Sequence, residues 1–131
     1  MLSLSYERRH QVVMVRVTGV LSSEDIEIHD RVMLHFLAGK DGVRAIYDLG
    51  KVEALAIPVS KIAQRGQRPA IVTGRRVMVA SRQGGEEFAR IIASEQRAAG
   101  LAEATIVPTL GEAYQLLGLG RDAVFEPIET E

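Results

Sequence analysis

Val43-Arg44-Ala45-Ile46-Tyr47-Asp48-Leu49-Gly50, continuing to Ile57-Pro58-Val59-Ser60-Lys61, is the stretch that decides the fold. It reads as a buried strand, Val43 to Tyr47, that ends in the carboxylate of Asp48 and leads into a helix. Pro58 suits the first helical position, because its missing N–H would be unpaired there anyway. A polar residue closing a buried strand ahead of a helix is where open α/β sheets place their sites.

Upstream of that strand, Leu4 to Arg9 and Val12 to Leu21 are two extended runs around a polar turn near His10. Val13, Val15 and Val17 alternate with Met14, Arg16 and Thr18, which predicts a hairpin with one core face. Ser22 stands three residues before Asp25, a capping arrangement that opens a helix to about Ala38 with an apolar stripe of Val32, Met33, Phe36 and Leu37. Downstream, Val59, Ile62, Ala63 and Gly66 fall on one helical face, while Lys61, Arg65 and Arg68 share another. Arg68-Pro69 ends that helix, and Gly74-Arg75-Arg76 introduces the strand Val77-Met78-Val79-Ala80. Gly84-Gly85 opens a third helix through Phe88, Ile91 and Ile92, and Ala104 to Val107 is a short last strand. Thr109 and Glu112 form a capping box for a final helix through Tyr114, Leu116 and Leu117.

Strands separated by helices require crossover connections. The expected fold is therefore α/β, a mixed sheet of about five strands with helices packed against it, in the order ββαβαβαβα. One domain should span 1–119, followed by a polar tail, 120–131, that is either disordered or docked as an arm on a neighbouring subunit.

The 131 residues suffice for one domain with its own core. With no Cys, a disulfide framework, a thiol nucleophile and Cys-ligated metal are excluded. The start of the chain lacks a leader pattern and no segment approaches the ~20 apolar residues of a membrane span, so a cytoplasmic location is expected. The net charge of −1 conceals an asymmetry. No acidic residue lies between Glu53 and Glu86, where Lys61, Arg65, Arg68, Arg75, Arg76 and Arg82 fall, whereas six acidic residues and one Arg follow from Glu103 onward. Opposite poles favour self-association, as a dimer, or an anionic partner. The plainer reading is a solvated surface in a chain that uses Arg, 13 residues, in preference to Lys, 3 residues.

The strand-end Asp48, the Gly-Arg-Arg lead-in, the helix around Phe88-Ala89-Arg90-Ile91 and the closing helix Glu112-Ala113-Tyr114-Gln115-Leu116-Leu117-Gly118 recur in this order in a known group. From about Leu4 to Leu119 the chain resembles the STAS-like proteins, the fold of bacterial anti-sigma-factor antagonists and of the cytoplasmic tails of sulfate transporters. It is most similar to an uncharacterised bacterial branch also likened to CRAL-TRIO lipid-binding domains. The resemblance implies a phosphorylatable Ser or Thr nine positions after the strand-end Asp, at the start of the next helix. That position is Ile57. The Trp that relatives often carry in the final helix is also absent.

Each candidate site residue carries two readings. Asp48 can contribute to an anion-switch or metal pocket, or cap the following turn through its own side chain. Ser60 is the hydroxyl nearest the switch position, but three residues late. Ser81 and Arg82, with Gly84-Gly85, join a strand to a helix N-terminus that can hold a phosphate, although Glu86 and Glu87 occupy the same positive end. The glycines match neither the P-loop nor the dinucleotide fingerprint. His29 and His35, six apart, do not make a metal pair on a helix, and surface or half-buried roles suit them. No catalytic residues, metal site or cofactor can be singled out, and no nucleic-acid-reading motif is present.

The sequence thus favours a non-catalytic regulatory or scaffolding module. Its expected binding surface comprises Asp48, Ile57, Ser60, Lys61, Arg65, Arg68, Ser81 and Arg82, with a protein partner or a second copy as occupant. The alternative is a carrier for a small anionic or amphiphilic ligand, with an apolar cleft near Leu55, Ile57 and Ile62 and the anionic head on Arg65 or Arg82.

Overall fold

The computed structural model describes residues 1–130. The elements run β1 (Leu2–Glu7), β2 (Val12–Ser22), α1 (Ser23–Phe36), β3 (Arg44–Ala56), α2 (Val59–Gly66), β4 (Arg76–Val79), α3 (Gln83–Ala98), β5 (Thr105–Val107), α4 (Leu110–Leu117) and β6 (Glu126–Pro127). They form one six-stranded sheet in the order β5-β4-β3-β2-β1-β6. β1 is antiparallel to β2 and to β6, and β2, β3, β4 and β5 are mutually parallel. The expected α/β order is therefore present, with one strand more than expected. The extra strand comes from the tail: Ser5 lies opposite Pro127, and the Ile128 N–H donates to the Leu4 carbonyl at 2.8 Å.

The hairpin turn is held by a buried carboxylate. Glu7 accepts from the backbone N–H of Arg9 at 3.1 Å and of His10 at 2.7 Å, which satisfies donors a tight turn leaves free. Gln11 takes a positive φ of 54° to close it. At the start of α1 the Ser22 hydroxyl accepts from the Asp25 N–H while the Asp25 carboxylate accepts from the Ser22 N–H. That capping box fixes the first turn as the sequence predicts.

β2 differs from expectation in being buried on both faces. Val13 and Val15 pack with Val32 and Met33 of α1, whereas Val12 and Met14 pack with Ala113 and Leu117 of α4. The reason is topological. β2, β3, β4 and β5 advance across the sheet in one direction, so the crossover helices α1, α2 and α3 share a face, and α4 covers the opposite one.

β3 departs most from the sequence reading. Instead of ending near Tyr47 it continues to Ala56, paired with β2 through Leu21 and Ser22 across two register shifts. Asp48 is consequently a mid-strand residue. β4 pairs with β3 only as far as Asp48, and the rest of that edge is met by the first turn of α3. A Cβ on Gly85 would lie 2.6 Å from the Leu49 carbonyl oxygen, so only glycine lets the helix start this close to the strand. Pro58 precedes the first residue of α2 rather than occupying it. The close α2–α3 contact is at Gly66, where a Cβ would meet the Glu95 Cβ at 2.8 Å.

Gly85→Ala should therefore force α3 off the β3 edge at a cost of about 1–3 kcal/mol, read as a lower urea midpoint at unchanged m-value. Unchanged stability in that variant would show that the approach of α3 to β3 is not tight.

Candidate functional site

The face covered by α1, α2 and α3 carries the most organised polar group in the molecule. Arg65 of α2 donates from both terminal nitrogens to the two oxygens of Asp30 in α1, each at 2.6 Å. This is the bidentate fork that planar guanidinium and carboxylate groups favour. Asp30 Oδ1 also lies 2.8 Å from His29 Nδ1, and His29 Nε2 lies 3.0 Å from the Tyr47 hydroxyl on β3. Burial raises the Asp30 pKa, but the His29 hydrogen bond and the Arg65 charge outweigh it and hold the carboxyl below its usual value. An ionised Asp30 can only accept, so His29 Nδ1 is the donor of that bond, and Nε2 pairs with the Tyr47 hydroxyl. Burial pushes the Tyr47 hydroxyl up to about 12, against the opposing pull of Arg65 and Arg76. The phenol stays protonated and available as a donor. The chain Arg65–Asp30–His29–Tyr47 thus ties α2 to α1 and α1 to the sheet.

Between these helices and the sheet lies a cavity of about 80 Å³, lined by His29, Tyr47, Arg65 and Arg76 among the polar residues and by Met78 and Phe88 among the apolar ones. The exposed Arg68 stands at its edge. Its position differs from the cleft expected near Leu55, Ile57 and Ile62, because Ile57 and Ile62 are packed into the core.

The sequence-predicted residues do not form one surface. Asp48 points to the α4 face of the sheet, where it lies in register with Arg16 and accepts from its Nε at 2.9 Å. Its other oxygen accepts from the Gly50 N–H at 3.2 Å, which leaves the carboxylate, 14% exposed as a side chain, engaged on both sides. The strand-end carboxylate expected from the sequence is thereby corrected to a mid-strand ion pair, since β3 runs on past it. Ile57, at the position where the resemblance calls for a phosphorylatable hydroxyl, is buried at 8% exposure. Ser60 and Lys61 lie exposed in the first turn of α2. Arg65, expected on a free cationic face, is instead turned inward to Asp30, because burying its stem requires a counter-charge. Ser81 and Arg82 are exposed at the start of α3, with Arg82 at the N-cap making no side-chain cap bond.

His29, Asp30, Tyr47 and Arg76 are the residues the sequence reading passed over. His29 is buried and bonded at both ring nitrogens rather than at the surface. For Arg76 a signal existed: a period of two through Met78 and Ala80 directs it to the face those residues bury. For His29 and Asp30, adjacent in α1, the partners lie 18 and 35 positions away, beyond any local pattern.

Asp30→Asn should destabilise the protein by about 1–3 kcal/mol at neutral pH, the range for a charge-assisted hydrogen-bonded group. Because the Asp30 pKa is depressed on folding, its contribution is whole above roughly pH 4 and declines as pH falls through the folded value. Urea unfolding of both proteins from pH 7 down to pH 3 checks this: the gap should narrow with acid, and a constant gap would contradict a charge-linked role.

No family model matches the sequence, and no curated protein matches it. Solved structures do. The anti-sigma factor antagonist SpoIIAA in its unphosphorylated form superposes with a TM-score of 0.55 at 15% identity, covering 90% of this chain and 98% of that one. An uncharacterised protein of the DUF3478 family from Shewanella loihica PV-4, described as having a SpoIIAA-like fold, gives a TM-score of 0.58 at 15% identity, covering 89% and 92%. With the strand order and helix placement described above, these likenesses establish that this chain has a STAS-like fold, the fold of SpoIIAA.

Proposed function

We propose that this chain is a non-catalytic regulatory or scaffolding module that works by docking an acidic protein surface, on a partner or on a second copy of itself, without a phosphoswitch. The observation that carries the reading is the set of exposed cations running from α2 through the β4 lead-in to the start of α3. Among the described residues, Lys61, Arg68, Arg75 and Arg82 are exposed and make no ion pair. Unpaired surface cations raise the rate and the selectivity of encounter with an acidic partner more than they raise affinity. Val59, 56% exposed at the first position of α2, supplies an apolar contact beside Ser60 and Lys61.

The buried Ile57 supports docking without phosphorylation at that position, since it has neither a hydroxyl nor access to a kinase. The structural neighbour SpoIIAA is an anti-sigma factor antagonist, a protein that acts on another protein, and the shared fold supports the same mode of action for this chain. Arg65 serves this surface indirectly, by anchoring α2 to α1 through Asp30. Lys61, Arg68 and Arg82 are the residues that meet the partner.

Reversing charge at Lys61→Glu and Arg68→Glu tests the surface while leaving the Arg65 pair intact. Sedimentation velocity at low salt and at 0.5 M salt, where the Debye length falls to between about 3 and 8 Å, should show assembly of the unaltered chain that weakens with salt and is lost in the double variant. Thermal stability should stay within about 0.5 kcal/mol, as for exposed substitutions generally. If the assembly state and the proteins captured from a lysate are the same for both chains, the docking surface lies elsewhere.

A further inference from the structure

The guanidinium of Arg76 is the least explained charge in the molecule. It sits at the start of β4, only 8% exposed, on the cavity face of the sheet. One terminal nitrogen donates to the Ala102 carbonyl at 2.6 Å. Its Nε–H is buried with no hydrogen-bond partner, and among the described residues no carboxylate pairs with it. Buried cations are ordinarily paired, and a buried donor is ordinarily bonded, so an arginine with no counter-charge and an unbonded Nε–H is a group built for something outside the chain.

The charges around the cavity sharpen the point. Arg65 is neutralised by Asp30 in a bidentate pair. Asp25, the acid that lines the cavity, accepts at Oδ2 from the Ser22 N–H and hydroxyl in the capping box and makes no ion pair with Arg76 or Arg68. The Tyr47 hydroxyl is committed to His29. Arg76 within and Arg68 at the edge are left without an acid, and the remaining wall is largely apolar, with Leu21, Met78, Phe88 and Ile92. Burial also draws the Arg76 pKa down from its usual value, as expected for a cation lacking a counter-ion.

We propose that this cavity binds a small amphiphilic carboxylate, whose acid group pairs with the Arg76 guanidinium while its apolar end packs on Met78, Phe88 and Ile92 and extends past Arg68. Size and the apolar wall select this class. About 80 Å³ is roughly half of the ~150 Å³ cavity that admits benzene, enough for a carboxyl group and a few carbons but not for an enclosed acyl chain. A phosphate dianion is a poor occupant, because the largely apolar wall beside the guanidinium would strip its remaining oxygens of water without replacing those hydrogen bonds. The site meets the docking surface at Arg68 alone, since Arg76 is buried and Lys61 and Arg82 do not line the cavity.

The arginine Nε–H resonances of the full chain, observed in ¹H–¹⁵N spectra during titration with hexanoate, test the proposal directly. Arg76→Lys assigns the Arg76 signal by its disappearance. Hexanoate should shift that resonance with saturation in the millimolar range, hexan-1-ol should not, and inorganic phosphate should act at least tenfold more weakly. By calorimetry or ligand-observed NMR, Arg76→Met should bind hexanoate at least tenfold more weakly while keeping its fold, since a buried unpaired charge is exchanged for an apolar chain of similar length. No movement of the Arg76 resonance with hexanoate would overturn the proposal, and so would an equal response to hexan-1-ol. Tighter binding of phosphate would overturn the choice of a carboxylate. Should Arg76→Met not fold, the titration of the unaltered chain decides alone.

Discussion

The parallel pairing of β2 with β3, running from Val12 opposite Arg44 to Ser22 opposite Ala56, is the constraint on which the rest of the structure depends. Two strands buried on both faces need cover on both sides, and no backbone group between them can be left unpaired. The crossovers therefore stack α1, α2 and α3 on one face, and α4 with the turn-back of Phe125 closes the other, where Phe125 stacks on Tyr114 with ring centroids 6.1 Å apart. The ribbon also outruns its neighbours. Beyond Asp48, β3 has no partner in β4, and the start of α3 at Gly84 and Gly85 lies against the exposed edge instead.

That extension sorts the polar residues into two separate groups. On the α4 face, Asp48 and Arg16 satisfy each other across the β2–β3 ladder. On the other face, Tyr47 reaches His29 and, through Asp30, Arg65. Adjacent residues of one strand thus belong to different networks on opposite sides of the sheet, because successive side chains of a strand alternate. Each network joins elements distant in the chain, which gives it a positional role: α2 and its exposed cations are held to α1 by charge and hydrogen bonding as well as by the burial of Ile62. The cavity is what remains where three helices of unequal length meet a twisted sheet, and Arg76 is the polar group that the packing leaves facing it without an acid partner.

Much of this was legible in the chain. The alternation of Val13, Val15 and Val17, the Ser22 and Asp25 cap, the glycines that open α3 and the Thr109 cap of α4 each mark an element by local chemistry, and local chemistry survives folding. The end of β3 was not legible, because Lys51, Glu53 and Ala54 carry no strand preference of their own and are held extended by pairing with β2. Arg65 read as a free surface cation, because helical spacing gives a direction around the helix but says nothing of an acid 35 residues upstream. Arg76 read as part of a lead-in, although its parity with Met78 already assigned it to a buried face.

By itself, then, the sequence determined the order of elements, their caps and the apolar faces, since these follow from periodicity and from backbone groups satisfied within a few residues. It also determined that the position where the resemblance places a phosphorylatable hydroxyl holds Ile57. Which charges are free and which are spent was decided by the tertiary structure alone. The energy of a charge depends on its burial and on its nearest counter-charge, and both are set by residues that the fold, not the chain, brings together.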